Sequence, residues 1–442
     1  MMSPERNTLV TRTGPDTPCG KLMRLYWQPA ALVDELAGHR PVCRVRLLGE
    51  DLVLFKDEQG RYGLLDRACP HRGADLAFGR REDGGLRCTF HGWLFDTQGR
   101  CLETPAEPED STLCSRVRQR AYPVIERSGI VWAYMGPLAP GEAPPPLPAF
   151  DCFTAPDAYT FAFKGLWECN WLQALEVGID PAHASFLHRF FEDEEKDTSY
   201  GKQFRDASLD SEMPMTRLLR EHARPRIEVE PTDFGIRITT KRELDDAHTH
   251  VRVTNQIFPN AICIPLSREI TITQWHVPVD DGSCYWYTVF TSFGGPVDKV
   301  RMREDRLKVY ALPDYRSGKN RANDYGFDPL DQEKQTYTGL GEDINVHDQW
   351  AVESQGRIHD RSREHLGYTD RAIGAYRRLL VRSIEEVEQG RRLAPLLDPV
   401  AAAKIGGPIT VDGISRGVEP MAYAIETDRR RRDAAAWPAA QS

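Results

Sequence analysis

The chain has 442 residues, of which 40% are hydrophobic and 28% are charged, and its net charge is −9. This length predicts two packed domains, and the composition excludes a fibrous or largely disordered chain. The negative charge argues against nucleic-acid binding, which needs a concentrated basic face.

The sequence shows no membrane span and no export signal. No stretch reaches the roughly 18 to 20 uncharged apolar residues that cross a bilayer, and the N-terminus lacks the apolar core of a signal peptide. The ten cysteines are spread along the chain, so reduced thiols are expected rather than a disulfide framework. We therefore expect a cytoplasmic protein without a membrane or nucleic-acid partner.

An all-β domain is predicted over residues 24–137, after an N-terminal segment at 1–23. Strand-like runs alternate there with glycine-containing turns such as DEQGR, EDGG and TQGR. The runs are VCRVRLL, DLVLFKD, RYGLLD, LRCTFHGWLFD and GIVWAYMG. A proline-rich linker follows at 138–150, because PGEAPPPLP can form neither a helix nor a central strand.

The second predicted domain, residues 151–391, mixes strands and helices. Its strand-like runs are IEVEP, FGIRITTKR, HVRVTNQIF and WYTVFTSF, which favour an antiparallel sheet flanked by helices and an α+β fold. Helices are predicted near 170–188 and from about 345, ending in the amphipathic segment DRAIGAYRRLLVRSIEEVEQG. Residues 392–442 are expected to form a C-terminal extension in which the run Arg429 to Arg432 is solvated and the last fifteen residues are frayed.

Two cysteines and two histidines form the first chemical pattern. Cys69, His71, Cys88 and His91 have the spacing C-x-H, sixteen residues, then C-x2-H. Two irons bridged by sulfides can take both thiolates on one iron and both imidazoles on the other. Tetrahedral zinc is the alternative metal, although the one-residue spacing of the first pair is shorter than zinc fingers use. A chance grouping of four unrelated side chains is the other alternative.

The segment CNWLQALEVGIDPAHASFLH carries the second pattern. A mononuclear Fe(II) that activates O2 uses two histidines and one carboxylate and leaves other positions open. His183 and His188 would point about 140° apart on an undistorted helix, so the helix must bend or end, and Pro181 is the residue that would disturb it. Such a histidine pair is a weak signal by itself.

Both patterns resemble known motifs. The runs CPHRG and CTFHGW are similar to the two cluster-binding boxes of Rieske proteins, although Thr89 stands where that family more often has proline. Asp180, His183 and His188 match the D-x2-H-x4-H iron box of Rieske oxygenases. From Arg24 to about Arg391 the chain resembles the alpha subunits of ring-hydroxylating oxygenases, in the phthalate dioxygenase-like branch. The resemblance implies a Rieske domain followed by a helix-grip, START-like catalytic domain.

The resemblance implies roles for single residues. It selects Asp348, with Glu353 five residues later, as the third iron ligand, while Asp343 and Glu342 are rivals and an exposed acidic run is the alternative. It makes Asp180 the electron relay from a cluster histidine of the neighbouring subunit. The amide of Asn170 is expected either near the iron as a second-sphere partner or in a helix hydrogen bond.

The same resemblance implies cofactors and partners. The chain would hold a [2Fe-2S] cluster and a mononuclear Fe(II). It lacks a G-x-G-x-x-G fingerprint and any flavin motif, so NAD(P)H and flavin would act through a separate reductase that also carries a ferredoxin-type cluster. An inter-subunit relay predicts a head-to-tail ring, a trimer or a multiple of one.

The substrate is expected to be a small aromatic molecule, in the first place an aromatic carboxylate that is hydroxylated or dihydroxylated. Arg252 is the candidate for binding the anion, and Arg242 is second. A monooxygenase that removes O- or N-methyl groups or cleaves aryl ethers is the alternative enzyme. An electron-carrier ferredoxin is the alternative of a different class, but it would leave the iron box unexplained.

Overall fold

The computed structural model describes residues 2–193 and 209–439 of the chain. Its N-terminal segment forms two short helices, α1 (Pro4–Thr11) and α2 (Pro18–Arg24). Each helix starts with proline in its first turn, where the missing N–H costs nothing, after a residue whose hydroxyl caps the helix.

The predicted all-β domain is present, with three antiparallel sheets whose strand orders are β1-β11-β10, β2-β3-β4-β9 and β5-β6-β7-β8. Its elements are β1 (Gln28–Leu32), β2 (Val42–Leu47), β3 (Glu50–Lys56), β4 (Tyr62–Asp66), β5 (Arg80–Glu82), β6 (Gly85–Arg87), β7 (Leu94–Asp96), β8 (Cys101–Glu103), α3 (Leu113–Arg116), β9 (Ala121–Tyr122), β10 (Val124–Arg127) and β11 (Ile130–Ala133). The two cysteine–histidine motifs lie in the β4–β5 and β6–β7 connections. The two motifs therefore lie in loops that connect strands of the small sheets.

The second domain is built on one large, mainly antiparallel sheet, as predicted, with the strand order β13-β14-β15-β16-β17-β18-β12-β20-β19 and with β21 beside β15. Its elements are α4 (Asp151–Thr154), β12 (Thr160–Trp167), α5 (Trp171–Gly178), α6 (Met215–Glu221), β13 (Arg226–Thr232), β14 (Gly235–Glu243), β15 (His248–Ile257), β16 (Ala261–Pro265), β17 (Ile270–Asp280), β18 (Ser283–Ser292), α7 (Lys299–Leu307), β19 (Tyr310–Ala311), β20 (Arg316–Ser317), α8 (Pro329–Lys334), α9 (Ile344–Glu353), α10 (Arg371–Glu388), α11 (Pro399–Ala402), β21 (Val411–Arg416) and α12 (Pro420–Asp433). The amphipathic segment predicted as a helix is α10.

The main hydrophobic core continues across both domains, while a smaller core of the first domain packs behind the cluster motifs and includes Phe55, Leu86 and Phe95. A buried ion pair also joins the domains, since Lys164 Nζ on β12 lies 2.7 Å from the carboxylate of Glu35. The two domains are thus fixed together by shared packing and charge.

The C-terminal part differs in part from the prediction of a solvated run and a frayed end. β21 extends the catalytic sheet, and Arg432 on α12 is only 3% exposed because it pairs with the buried carboxylates of Asp428 and Asp151. Trp437 is also buried and donates to the Ser292 carbonyl at 2.8 Å. The prediction of a solvated run holds for Arg429 and Arg430, whose side chains are each 55% exposed, and is wrong for Arg432, because a run of arginines does not reveal that buried carboxylates face one member of it.

None of the helices in the described part of the chain combines the length and apolar character that crossing a bilayer requires.

Candidate active site

The two cluster motifs form loops with the same backbone hydrogen bonds. Cys69 N–H donates to the Ala74 carbonyl at 2.9 Å, and Cys88 N–H donates to the Trp93 carbonyl at 2.8 Å. In each loop the glycine four residues after the cysteine donates back to the cysteine carbonyl and has a φ of +76°. Only glycine adopts that conformation without strain, which explains the glycine in both CPHRG and CTFHGW.

The loops bring the four predicted cluster side chains together. The rings of His71 and His91 have centroids 4.4 Å apart, and both thiols are buried, with Cys69 3% and Cys88 4% exposed. Burial raises the pKa of the Cys69 thiol to about 11, and the neighbouring Cys88 adds to the effect. Trp93 stacks on His71 at 4.4 Å and holds that ring in place.

These four residues fit a two-iron cluster. The Nδ1 atom of His91 is buried and has no hydrogen-bond partner among the described residues, as expected of an atom that ligates a metal. Two buried thiols beside two adjacent imidazoles are the donor set that a Rieske-type [2Fe-2S] cluster requires.

The second pattern begins where α5 ends. This helix stops at Gly178, so Pro181 and the two histidines lie beyond it, in agreement with the predicted helix end. The Oδ1 atom of Asp180 accepts from the Ala182 N–H at 2.8 Å, and a short 3-10 turn then carries His183. The break therefore lets two histidines five residues apart face one point.

His183, His188 and Asp348 meet at that point, where one ligand atom from each lies within 4.8 Å of the others. Asp348 Oδ1 is 3.9 Å from His183 Nε2 and 3.3 Å from His188 Nε2. This carboxylate oxygen is buried and, within the described residues, accepts no hydrogen bond. Two imidazoles and one carboxylate with other directions open fit a mononuclear iron.

The protonation states favour metal binding. Burial lowers the pKa of His188 to about 3 and also lowers that of His183, so both rings are neutral at neutral pH. Burial raises the pKa of Asp348 to about 6 although His183 and His347 oppose it. His183 Nδ1 lies 2.6 Å from the Asp180 carbonyl, which can only accept, so this nitrogen carries the hydrogen and Nε2 offers its lone pair.

Asp348 reaches the histidines because α9 presents it inward, whereas the other acidic residues considered from the sequence do not belong to this group of ligands. Asp343 caps α9 by accepting from Asn345 N–H at 2.9 Å, and Glu342 is exposed. Glu353 is fully buried and accepts from the Glu168 N–H and the Tyr325 hydroxyl, both at 2.8 Å. Glu353 thus ties α9 to its surroundings.

Asn170 lies at the start of α5 and is not among the described residues that line the iron-side cavity. Its Oδ1 accepts from Leu172 N–H at 3.1 Å, and its Nδ2 donates to the carbonyls of Thr11 and Asp281. Of the two roles expected from the sequence, the structure shows the helix hydrogen bonds.

A cavity of about 110 Å³ opens beside the three converging side chains, against the inner face of the sheet. Arg252 lines it, with Nη1 2.9 Å from Asp412 Oδ2 and Nη2 3.2 Å from the Pro265 carbonyl. Arg242 does not line the cavity but is buried next to it, where it donates to the His222 carbonyl at 2.8 Å and to the Pro181 carbonyl at 3.4 Å. Of the two candidate anion binders, the structure brings Arg252 to the cavity.

Three further residues at this site were not predicted from the sequence. Arg306 and His276 line the same cavity, and His347 contacts His188. Arg306 lies in the charged segment KVRMREDRL, where nothing distinguishes a buried arginine. His347 directly precedes the expected ligand Asp348, and this adjacency is the signal that could have pointed to it.

A second, wider cavity of about 980 Å³ lies on the other side of the iron-site segment. Val177, Asp180 and His183 line both cavities. The outer cavity is also lined by large aromatic side chains that are 40% to 47% exposed, namely Phe186, Phe327, Tyr337 and Trp350. Asp180 thus stands between the metal site and a cavity that carries exposed aromatic side chains.

Known protein families match both domains of the chain. The Rieske [2Fe-2S] domain family matches residues 26–123, and the family described as LigXa C-terminal domain like matches residues 133–405. The oxygenase subunit of phthalate 4,5-dioxygenase from Pseudomonas putida is 34% identical over 411 residues, with 88% of each chain covered.

Two further relatives extend the comparison. The oxygenase subunit of 5,5'-dehydrodivanillate O-demethylase from a Sphingobium species is 33% identical, with 88% of this chain and 82% of that protein covered. Among solved structures, the NdmA QL mutant of Pseudomonas putida CBB5 with theobromine shares the fold, with a TM-score of 0.56 and 18% identity over 87% of this chain and 96% of that one.

The fold and the two sites define an oxidoreductase that incorporates O2 with the help of iron. The chain belongs to the Rieske non-haem iron oxygenases, in the branch of phthalate dioxygenase-like oxygenase subunits. Its cofactors are accordingly a [2Fe-2S] cluster and a mononuclear iron.

Proposed function

We propose that the chain is the terminal oxygenase of a multicomponent system and oxidises a small aromatic substrate, in the first place an aromatic carboxylate. The observation that carries this proposal is the convergence of His183, His188 and Asp348 at the wall of a cavity. Bound there, iron would supply the site for O2 activation. The protein's part is to fix the ligands and to keep the site largely buried.

We assign Cys69, His71, Cys88 and His91 to the cluster and the three converging residues to the mononuclear iron. Metal analysis tests this assignment. The intact protein should contain three irons and two sulfides per chain, and Asp348→Asn should contain two irons and unchanged sulfide, because it loses one anionic ligand. Cys88→Ala should lose both sulfides. Three irons in Asp348→Asn would contradict the ligand assignment, and zinc in place of iron would contradict the proposal as a whole.

Asp180 is proposed as the relay between the cluster of a neighbouring copy and the iron site. Its support is the aromatic-lined outer cavity that Asp180 lines and the exposed Phe90, which packs on His91 with ring centroids 3.9 Å apart. A cluster tip with an exposed phenylalanine complements an aromatic-lined cavity. A heterologous contact of this kind forms a ring when its rotation closes, and we propose a trimer.

Replacing Asp180 with Asn tests the relay. The amide keeps the Oδ1 acceptor for Ala182 N–H, and the backbone carbonyl still accepts from His183, so both metals should stay bound. Product formation should fall by about 10- to 100-fold because the carboxylate between the centres is lost. Full turnover with both metals present would contradict the relay.

A separate reductase with flavin and a ferredoxin-type cluster is proposed as the electron donor, since the chain has no nucleotide-binding fingerprint. We place the system in the cytoplasm, which agrees with ten cysteines of which none forms a disulfide. Reduction of the cluster by NAD(P)H should therefore need an added reductase. Direct reduction by NAD(P)H alone would contradict this part.

The cavity supports a substrate of about one aromatic ring. Its volume of about 110 Å³ is close to that of apolar cavities of about 150 Å³ that bind benzene. Ile262, Ile264 and Ile272 form an apolar wall, and Arg252 lies at the same face of the sheet as the proposed anion binder. A panel of benzoates and phthalates, with and without the carboxylate, tests the anion preference.

Oxidative O-demethylation or aryl ether cleavage is the second candidate, favoured by the similarity to an O-demethylase oxygenase subunit. Methoxylated aromatic acids belong in the same substrate panel. With labelled O2, a dioxygenase places two labelled atoms in the ring product. A demethylase releases formaldehyde and places at most one labelled atom in its products.

A further inference from the structure

His347 is a buried histidine directly before Asp348 on α9, and it has two hydrogen-bonding contacts. Its Nε2 lies 2.7 Å from the Gly341 carbonyl oxygen, and its Nδ1 lies 3.3 Å from Nδ1 of His188. Its side chain is fully buried, and its ring stacks on that of His188 at 5.6 Å with an angle of 22°. Helix α9 therefore supplies the proposed carboxylate ligand Asp348 and, through His347, also contacts the proposed histidine ligand His188.

The direction of each hydrogen bond follows from the partners. A carbonyl oxygen only accepts, so His347 Nε2 carries the hydrogen toward Gly341. With that hydrogen in place, the lone pair of the imidazole lies at Nδ1, which faces His188 Nδ1. His188 Nδ1 must then donate, which leaves the lone pair on His188 Nε2. That is the atom 3.3 Å from Asp348 Oδ1, on the metal side of the ring.

We infer that His347 is a positioning residue that holds His188 in the tautomer able to bind iron. The inference rests on the proposed assignment of His188 as an iron ligand. His183 gains the same tautomer in another way, from the carbonyl of Asp180 within its own segment. One histidine ligand is therefore oriented by local backbone and the other by a side chain from a helix far along the chain.

A different role for His347 would be packing alone. Phe190 lies near its ring, with centroids 6.5 Å apart, so the residue does fill space. Packing does not require a nitrogen at either ring position, however, whereas both nitrogens face a polar atom here. Variants that keep one of the two hydrogen bonds distinguish positioning from packing.

His347→Asn and His347→Gln form a matched pair. The carboxamide of Asn occupies the region of Nδ1 and can accept from His188, whereas that of Gln reaches the region of Nε2 and can donate to the Gly341 carbonyl. Fe(II) affinity is measured by competition with a chelator on protein freed of mononuclear iron, with the cluster intact by absorbance. We expect H347N to bind Fe(II) within about 3-fold of the unaltered protein and H347Q to bind about 10- to 100-fold more weakly.

Equal Fe(II) affinity in both variants, whether retained or lost, would overturn the inference, because packing does not depend on which nitrogen is replaced. Thermal unfolding without mononuclear iron serves as the control and should be alike in the two amides. Substitution with Co(II) adds a spectroscopic readout, since a misdirected His188 changes the visible absorption of the ligand set. His188→Ala tests the ligand assignment separately from the role of His347. If this variant binds Fe(II) normally, the assignment of His188 as a ligand fails.

Discussion

Hydrogen-bond direction decides what each histidine at the iron site can do. A neutral imidazole presents one donor and one acceptor, so a carbonyl placed at one nitrogen leaves the other nitrogen as a lone pair. At His183 that carbonyl belongs to Asp180, the residue proposed as the relay. A change in the backbone at Asp180 therefore reaches the metal through a single hydrogen bond.

The buried His276 should make the unfolding free energy depend on pH. It is fully buried, and burial lowers its pKa to about 3, so the unfolded chain, with a pKa of about 6.5, binds the proton more strongly. Stability that is complete above pH 6.5 is thus lost as the pH falls toward 3. Between pH 7.5 and 5.5 the unaltered protein should lose about 1.4 kcal/mol more unfolding free energy than His276→Gln. Urea denaturation at both pH values measures this, and equal losses would contradict a buried neutral His276.

At the scale of elements, the site depends on where α5 begins and ends. Asn170 starts the helix and ties it to the N-terminal segment and to the β17–β18 turn through the carbonyls of Thr11 and Asp281. Gly178 ends it before the histidines. The position of the proposed iron ligands His183 and His188 thus follows from a helix of eight residues that is fixed at its start.

Asn170→Ala should lower the unfolding free energy by about 1–3 kcal/mol, because it removes the cap and leaves two carbonyls without their donor. Asn170→Ser keeps a capping oxygen and should lose less. Thermal denaturation compares the two, and chelator competition follows Fe(II). Weaker Fe(II) binding in Asn170→Ala without a loss of stability would instead indicate an amide that acts at the metal.

Local motifs could be predicted from the sequence, and distant partners could not. Both cluster loops are closed by hydrogen bonds within six residues, so C-x-H and C-x2-H already contain the geometry. Asp348 lies 160 residues after His188, and only the family resemblance selected it. The contacts of Arg306 and His347 depend on how helices pack on the sheet, which no local pattern records.

At the scale of the whole molecule, the C-terminal helix α12 returns to the start of the catalytic domain. Arg432 joins Asp428 on its own helix to Asp151 on α4, and β21 lies beside β15 in the sheet. The C-terminal region is therefore a structural part of the catalytic sheet.

Arg432→Met tests that connection. It leaves two buried carboxylates without this partner and should cost about 3–5 kcal/mol of unfolding free energy. Arg429→Met is the matched control on the same helix, because the side chain of Arg429 is 55% exposed and its loss should cost about 0.5 kcal/mol or less. Similar thermal midpoints for the two variants would show that the C-terminal helix contributes little.

Asp180 and His183 form a partition that belongs to both cavities at once. A substrate in the inner cavity and the surface of a neighbouring subunit in the outer cavity would contact opposite sides of these residues. If one occupant alters that segment, thermodynamic linkage requires the effect to be reciprocal: the factor by which substrate changes affinity for the docked neighbour equals the factor by which the neighbour changes affinity for substrate. In the proposed ring, this shared segment would therefore couple binding of the substrate to assembly of the oligomer.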